Sequence, residues 1–200
     1  MKHTLQKENI RDEILNATDR LLVRYGYKKM TIDDLAQEVG IGKGTVYLYF
    51  TSKEEIALSH VDRIVERMKE RLKEIAAADA PPDERLREML LTRVLFRFDS
   101  VQHYTQSLND LLAALRPQLL ARRRGYFEAE AKLFAEVLNE GNKIKTFTFS
   151  DALETAKTLM LATNSLLPYS LSTKELGERS EIKERVEQLA DLLLEGLLRR

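Results

Sequence analysis

Apolar residues recur at three- and four-residue intervals along most of this 200-residue chain, the spacing that aligns them on one face of an α-helix. Between residues 9 and 25, Ile10, Ile14, Leu15, Ala17, Leu21, Leu22 and Tyr25 form such a stripe. Gly26 follows, a residue able to take the left-handed conformation that ends a helix. Thr31 and Asp34 read as a capping box, in which hydroxyl and carboxylate satisfy backbone N–H groups of the first turn. The helix they open turns Ile32, Leu35, Ala36 and Val39 inward and stops at Gly40. Residues 41–50 make a short third segment with Val46 and Phe50 on its core side. Ser52 with Glu55 forms a second capping box, opening a long helix over residues 53–77.

The two prolines Pro81 and Pro82 mark the clearest break, since proline cannot continue a helix and biases its predecessor away from helical geometry. Helical runs then cover residues 84–98, 105–115 and 117–139, the last ending at Gly141. A strongly apolar run from residue 150 or 151 reaches Leu167, ahead of Pro168; a polar loop at 172–180 precedes a last helix at 181–198. No alternating strand pattern and no tandem repeat emerges. The pattern predicts an all-α fold: an N-terminal three-helix helix-turn-helix domain over residues 1–52 and a larger helical domain over 53–200.

Composition narrows the classes. Apolar residues at 44% and charged residues at 32% describe a globular chain, and eight glycines with four prolines leave room for long helices. Cysteine is absent, which removes disulfides, thiolate metal sites and cysteine nucleophiles. The polar start of the chain lacks a signal-peptide core, and no run approaches the ~18 apolar residues of a membrane helix. A cytoplasmic protein without a membrane partner is expected. The formal net charge is zero and the pI about 6.9, so any affinity for nucleic acid must come from local positive charge. Residues 1–53 carry nine Lys and Arg against seven acids, a small excess that predicts moderate salt sensitivity.

Residues 31–53 bring chemistry and spacing together. A helix that enters the major groove needs small and polar residues at its leading end, because bulk there holds the backbone away from the bases. Gly42, Gly44 and Thr45 meet that need, and Lys43 can reach a guanine edge or a phosphate. Tyr47 and Tyr49, two residues apart, offer hydroxyls to phosphate oxygens. Thr31 and Lys53 stand at starts of flanking helices, where N–H groups and the helix dipole favour phosphate. From Thr31 through Asp33, Asp34, Leu35, Ala36, then Gly40-Ile41-Gly42-Lys43-Gly44-Thr45-Val46-Tyr47-Leu48-Tyr49-Phe50 to Lys53-Glu54-Glu55, the chain resembles the tetracycline-repressor (TetR) family. Gly26-Tyr27 and the preceding helix fit the same pattern, and the detailed match covers roughly residues 10–57.

That resemblance implies a homodimer with one recognition helix per subunit in successive major grooves of double-stranded operator DNA, released by a small-molecule effector. It implies DNA contacts from Thr31, Lys43, Gly44, Thr45, Tyr47, Leu48, Tyr49 and Lys53. The chain departs from the family at Gly42, where a capping serine is frequent, and at Leu48, where a polar reader is common. An apolar contact with a thymine methyl is expected from Leu48.

The second domain offers candidates of another kind. Residues 84–98 are apolar on nearly every side, so that helix must be enclosed by protein. Together with later helices it is expected to line an apolar cavity, or to fill a solid core, with Leu95, Phe96, Phe127 and Met160 as walls and Gln102, His103, Tyr104, Thr163 and Asn164 as orienting polar groups. Such a cavity suits a hydrophobic or amphipathic molecule, such as a fatty-acyl compound or a drug. Val186, Leu189, Leu193 and Leu197 form a stripe on the last helix, expected to pair with Leu159 and Leu166 in a four-helix dimer interface. His3, His60 and His103 are scattered, so neither a metal nor a cofactor is expected, and Arg122-Arg123-Arg124 reads as a solvated face or an anion site. Two other classes stay open: a helical enzyme, for which no convergent acid, base or nucleophile set appears, and a purely structural dimerisation protein.

Overall fold

The computed structural model describes residues 2–104, 107–167 and 177–198, with side chains at 9–103, 109–167 and 177–198. The fold is all-α. In order, α1 is Lys2–Lys29, α2 Ile32–Val39, α3 Lys43–Tyr47, α4 Lys53–Ala76, α5 Pro82–Val101, α6 Ser107–Lys143, α7 Ala152–Ala162 and α8 Arg179–Glu195. Single 3₁₀ turns follow α5 (Gln102–Tyr104) and α7 (Thr163–Leu166). Two compact units emerge: Met1–Ile64 with His103–Leu120, and Val65–Gln102 with Ala121–Arg200. Among the described residues, no helix is long and apolar enough to cross a membrane.

In the first unit the punctuation read from the sequence takes physical form. Gly26 breaks α1 at φ 73°, ψ 166°, and the reversal carries Tyr27 into the core. Tyr25, expected on the apolar stripe, is exposed instead. The Thr31 hydroxyl accepts the Asp34 N–H at 3.1 Å, and Asp34 Oδ2 accepts the Thr31 N–H at 2.9 Å, completing the capping box. Gly40 closes α2 in the left-handed region at φ 75°. The second box forms only in part: Ser52 Oγ accepts the Glu55 N–H at 3.1 Å, but the Glu55 carboxylate takes the N–H of Thr51. Arg20 donates to Glu38 at 2.7 Å, fastening α1 to α2, and Arg63 of α4 donates to Asn16 of α1 at 2.8 Å. Beneath these surface links, Ile14, Leu15, Leu22, Leu35, Val46 and Phe50 form the buried core.

The second unit is larger. The runs read at 105–115 and 117–139 meet, from Ser107 on, in one helix, α6, which continues through Pro117 and whose residues up to Leu120 belong to the first unit. Pro117 lacks the N–H that would bond the carbonyl of Ala113, and both residues lie at the exposed surface, where water can satisfy that oxygen. Gly141, read as a helix end, is inside α6. Its missing side chain admits the Phe147 ring, two carbons of which would stand 2.4 Å from an added Cβ. Phe147 itself is buried and forms an isolated antiparallel bridge with Leu198. The run read as one helix to residue 167 ends its α-helical part at Ala162. The main core gathers Met68, Leu72, Met89, Leu90, Phe134 and Leu159 from α4, α5, α6 and α7. A second cluster packs Leu91, Val94, Leu95 and Phe98 of α5 on Ile182 and Val186 of α8.

Candidate DNA-binding surface and buried polar centre

The short α3 is divided by its own periodicity. Val46 is fully buried and Phe50, just beyond the helix, almost so; each contributes about 1.5–3 kcal/mol by leaving water. They pin the segment and turn the alternate residues outward. Tyr47 is 49% exposed and Leu48 82% exposed, while Thr45 and Tyr49 are half-buried. Gly42 precedes the helix in extended backbone without a side-chain cap, and a methyl added at Gly44 would meet nothing within 4 Å. The face presented by Lys43, Gly44, Tyr47 and Leu48 is therefore slim and open.

Charge around that face is arranged by pairings that the sequence reading did not foresee. Lys43 is exposed and pairs with Asp33 at 2.7 Å; the hydrogen bond to that carboxylate raises the lysine pKa above its ordinary value. Thr31 is exposed, but its hydroxyl also donates to Asp34 at 2.7 Å, and that bond holds the Asp34 carboxyl below the usual range. Lys53 is half-buried, its ammonium donating to the Tyr27 carbonyl at 3.1 Å and standing 4.6 Å from the Tyr27 ring centroid. The Tyr27 hydroxyl donates to Glu54 at 3.4 Å, and burial first, then the Glu54 charge, pushes its pKa up to about 12. Lys53 thus fastens the end of α1, just past its break at Gly26, to the start of α4. A phosphate contact there would be added to this structural bond.

The second unit holds a buried polar centre on Arg93, which the periodic reading of α5 passed over. Arg93 is 1% exposed and its partner Glu130 likewise 1%, with Nε donating to Oε2 at 2.9 Å. Arg93 Nη1 donates to the Met160 carbonyl at 3.2 Å and the Thr163 hydroxyl at 3.0 Å, and Nη2 to Asn164 Oδ1 at 2.8 Å. Three residues expected to line a cavity, Met160, Thr163 and Asn164, are brought together here around a guanidinium. Phe96 and Phe127 pack, half-buried, on the main core, and Leu95 is buried in the second cluster. Gln102 donates to Asp99 at 3.4 Å, and His103 is exposed in the other unit. The Tyr104 side chain lies outside the described residues. No three His, Cys, Asp or Glu side chains among those described converge as metal ligands would.

The residues expected in the dimer stripe differ in exposure. Val186 and Leu159 are buried within their own subunit, so neither has surface to offer a partner. Leu166, Leu193 and Leu197 pack, half-buried, on the two core clusters, and Leu189 is half-buried. The outward apolar residues of these helices are Leu161 of α7, 59% exposed, and Leu192 of α8, 71% exposed. Helical periodicity identifies a face that must be covered; it does not say whether the cover is the same chain or another.

Residues 14–59 match the family model described as bacterial regulatory proteins, tetR family. An uncharacterized HTH-type transcriptional regulator in the lacX 3' region of Lactococcus lactis subsp. lactis is 39% identical over 83 residues, covering 41% of this chain and 42% of that protein. The fatty acid metabolism regulator protein of Bacillus subtilis (strain 168) is 34% identical over 70 residues, 33% of this chain and 36% of that one. The match therefore spans less than half the length of these curated relatives. A crystal structure of a TetR/AcrR-family transcriptional regulator from Thermobifida fusca YX-ER1 has a TM-score of 0.73 and 26% identity, over 94% of this chain and 98% of that one. The N-terminal helices thus match the tetR family of bacterial regulatory proteins in sequence, and the helical fold is similar to that of a TetR/AcrR-family regulator.

Proposed function

We propose that the chain is a cytoplasmic transcriptional repressor that binds a palindromic DNA operator as a homodimer and leaves it when a small hydrophobic or amphipathic effector binds. The observation that carries this reading is the outward face of α3, where Leu48 and Tyr47 stand in solvent while Val46 and Phe50 are buried. Exposed apolar surface beside a slim, glycine-flanked backbone suits contact with base edges and thymine methyls. Lys43 and Tyr47 act at the bases or phosphates, Thr45 and Tyr49 at the flanks, and Thr31, Gly44 and Lys53 through backbone or phosphate contacts. A two-fold dimer would set two such helices about 34–36 Å apart, one turn of the duplex.

Domain limits of 1–52 and 53–200 fit this division of labour, with α4 beginning at the border and entering the second unit. The dimer interface is assigned to the outward residues Leu161 and Leu192, with Leu189 at its edge. The relatives are named as regulators, which favours this reading over a helical enzyme. A ligand that prefers one of two domain arrangements shifts the population only by its difference in affinity for them.

The test begins with selection of bound duplexes from a random pool by the full chain. On the selected sequence, Lys43→Ala and Tyr47→Ala should each weaken binding by tenfold or more in a gel-shift titration, the loss of about 1.4 kcal/mol or more. Unchanged affinity in both variants would remove α3 from the interface.

A further inference from the structure

Arg97, one turn beyond Arg93 on α5, brings a second guanidinium to the same carboxylate, its Nη2 donating to Glu130 Oε1. Glu130 is buried, and the Arg97 side chain is only 12% exposed. Arg93 is already served by Glu130 and three neutral oxygens. Arg93 and Arg97 thus share one carboxylate, in surroundings that penalise charge. The remaining partners of Arg97 show where its charge is poorly answered. Its Nη1 donates to the Arg93 carbonyl at 2.9 Å and to the Met68 sulfur, also at 2.9 Å. A thioether is a weak acceptor, whereas an ionised oxygen makes a bond roughly twice as strong as a neutral one.

We propose that Arg97 is the anion-recognising residue of the effector site and that its ligand is an amphipathic carboxylate whose headgroup replaces the Met68 thioether. The inference rests on the effector-released reading above and supplies the ligand's chemical class. Met68 is unbranched and adaptable, so its sulfur can turn away from the guanidinium without leaving the core. The rest of the environment is apolar: Met68 packs in one cluster with Leu72, Phe134 and Leu159, and Phe96 and Phe127 lie against it. A charged head with a hydrocarbon body matches that combination; a fully polar anion does not. Met68 also belongs to α4, the helix that begins at Lys53, so a headgroup displacing it acts directly on the packing of that helix.

The experiment uses the full chain without DNA and two probes of equal length, dodecanoate and 1-dodecanol, in calorimetric titrations below their aggregation limits. Dodecanoate should bind about tenfold more tightly, the worth of a hydrogen bond to a charged group. Arg97→Gln should abolish the difference between the probes, and Arg97→Lys should restore part of it. Met68→Leu, which keeps the bulk and removes the sulfur, should bind dodecanoate a few-fold more tightly, roughly the gain from removing a weak competing acceptor. That variant decides the matter if Arg97→Gln fails to fold. Equal affinity for the two probes, no binding of dodecanoate, or a preference unchanged in Arg97→Gln would overturn the proposal. Arg97-dependent binding that leaves the DNA complex intact would support this site while overturning release by effector. DNA binding with no response to either probe would overturn the site and leave the DNA-binding assignment standing.

Discussion

Replacing Gly141 by alanine sets helix propensity against packing. Alanine is favoured over glycine in a helix interior by about 1 kcal/mol. At Gly141, however, the new methyl would lie 2.4 Å from two carbons of the Phe147 ring and 3.1 Å from Pro82 Cβ. Carbon atoms pack at about 3.5–4 Å, so the ring would have to retreat by about 1 Å. It has little freedom to do so, being buried, with Thr146 N–H bonded to the Gly141 carbonyl at 2.8 Å and Thr148 N–H to the Leu197 carbonyl at 2.9 Å. Overpacking of this kind costs about 1–3 kcal/mol, which leaves a net loss of up to about 2 kcal/mol after the propensity gain. Gly125, in the same helix, provides the control: an added methyl there meets nothing within 4 Å. Gly125→Ala should therefore stabilise by about 0.5–1 kcal/mol. Urea unfolding followed by circular dichroism at one protein concentration measures both, the fixed concentration excluding shifts from self-association. The midpoints should move in opposite directions. A Gly141→Ala midpoint at or above wild type would refute the close approach of Phe147 as the reason for that glycine.

Glu130→Gln leaves the buried Arg93 and the half-buried Arg97 without their carboxylate and should destabilise by about 3–5 kcal/mol in the same assay. Because the folded-state pKa of Tyr27 is raised to about 12 from 10, the folded protein keeps a proton there that the unfolded chain loses. The associated stability is complete below pH 10 and falls as pH rises toward 12; Tyr27→Phe should remove this component of the unfolding profile. Asp33→Asn frees Lys43 from its carboxylate, so affinity for any duplex should rise and the salt dependence steepen, by about one unit of slope at most. Glu at both Leu161 and Leu192 should convert a dimer to a monomer by light scattering after gel filtration, whereas the same change at Lys183, an exposed polar position, should not.

Features governed by neighbours in sequence were legible before any fold was known. The stripe from Ile14 to Leu22, the Thr31–Asp34 box, the stops at Gly26 and Gly40, and the inward Val46 and Phe50 depend on helical period and on bonds three or four residues long. The motif at residues 31–53 was legible for the same reason: its spacing is fixed within one short stretch of chain. What the sequence left open depended on partners far away along it. Arg93 meets Glu130 37 residues on and Asn164 71 residues on, so no local pattern distinguishes it from a solvated arginine. Gly141 is in mid-helix because Phe147 folds back onto it, and Val186 faces inward because α5 claims that side of α8. Periodicity states that a face must be covered, and the packing of helices remote in sequence decides which residues cover it and which charges are enclosed.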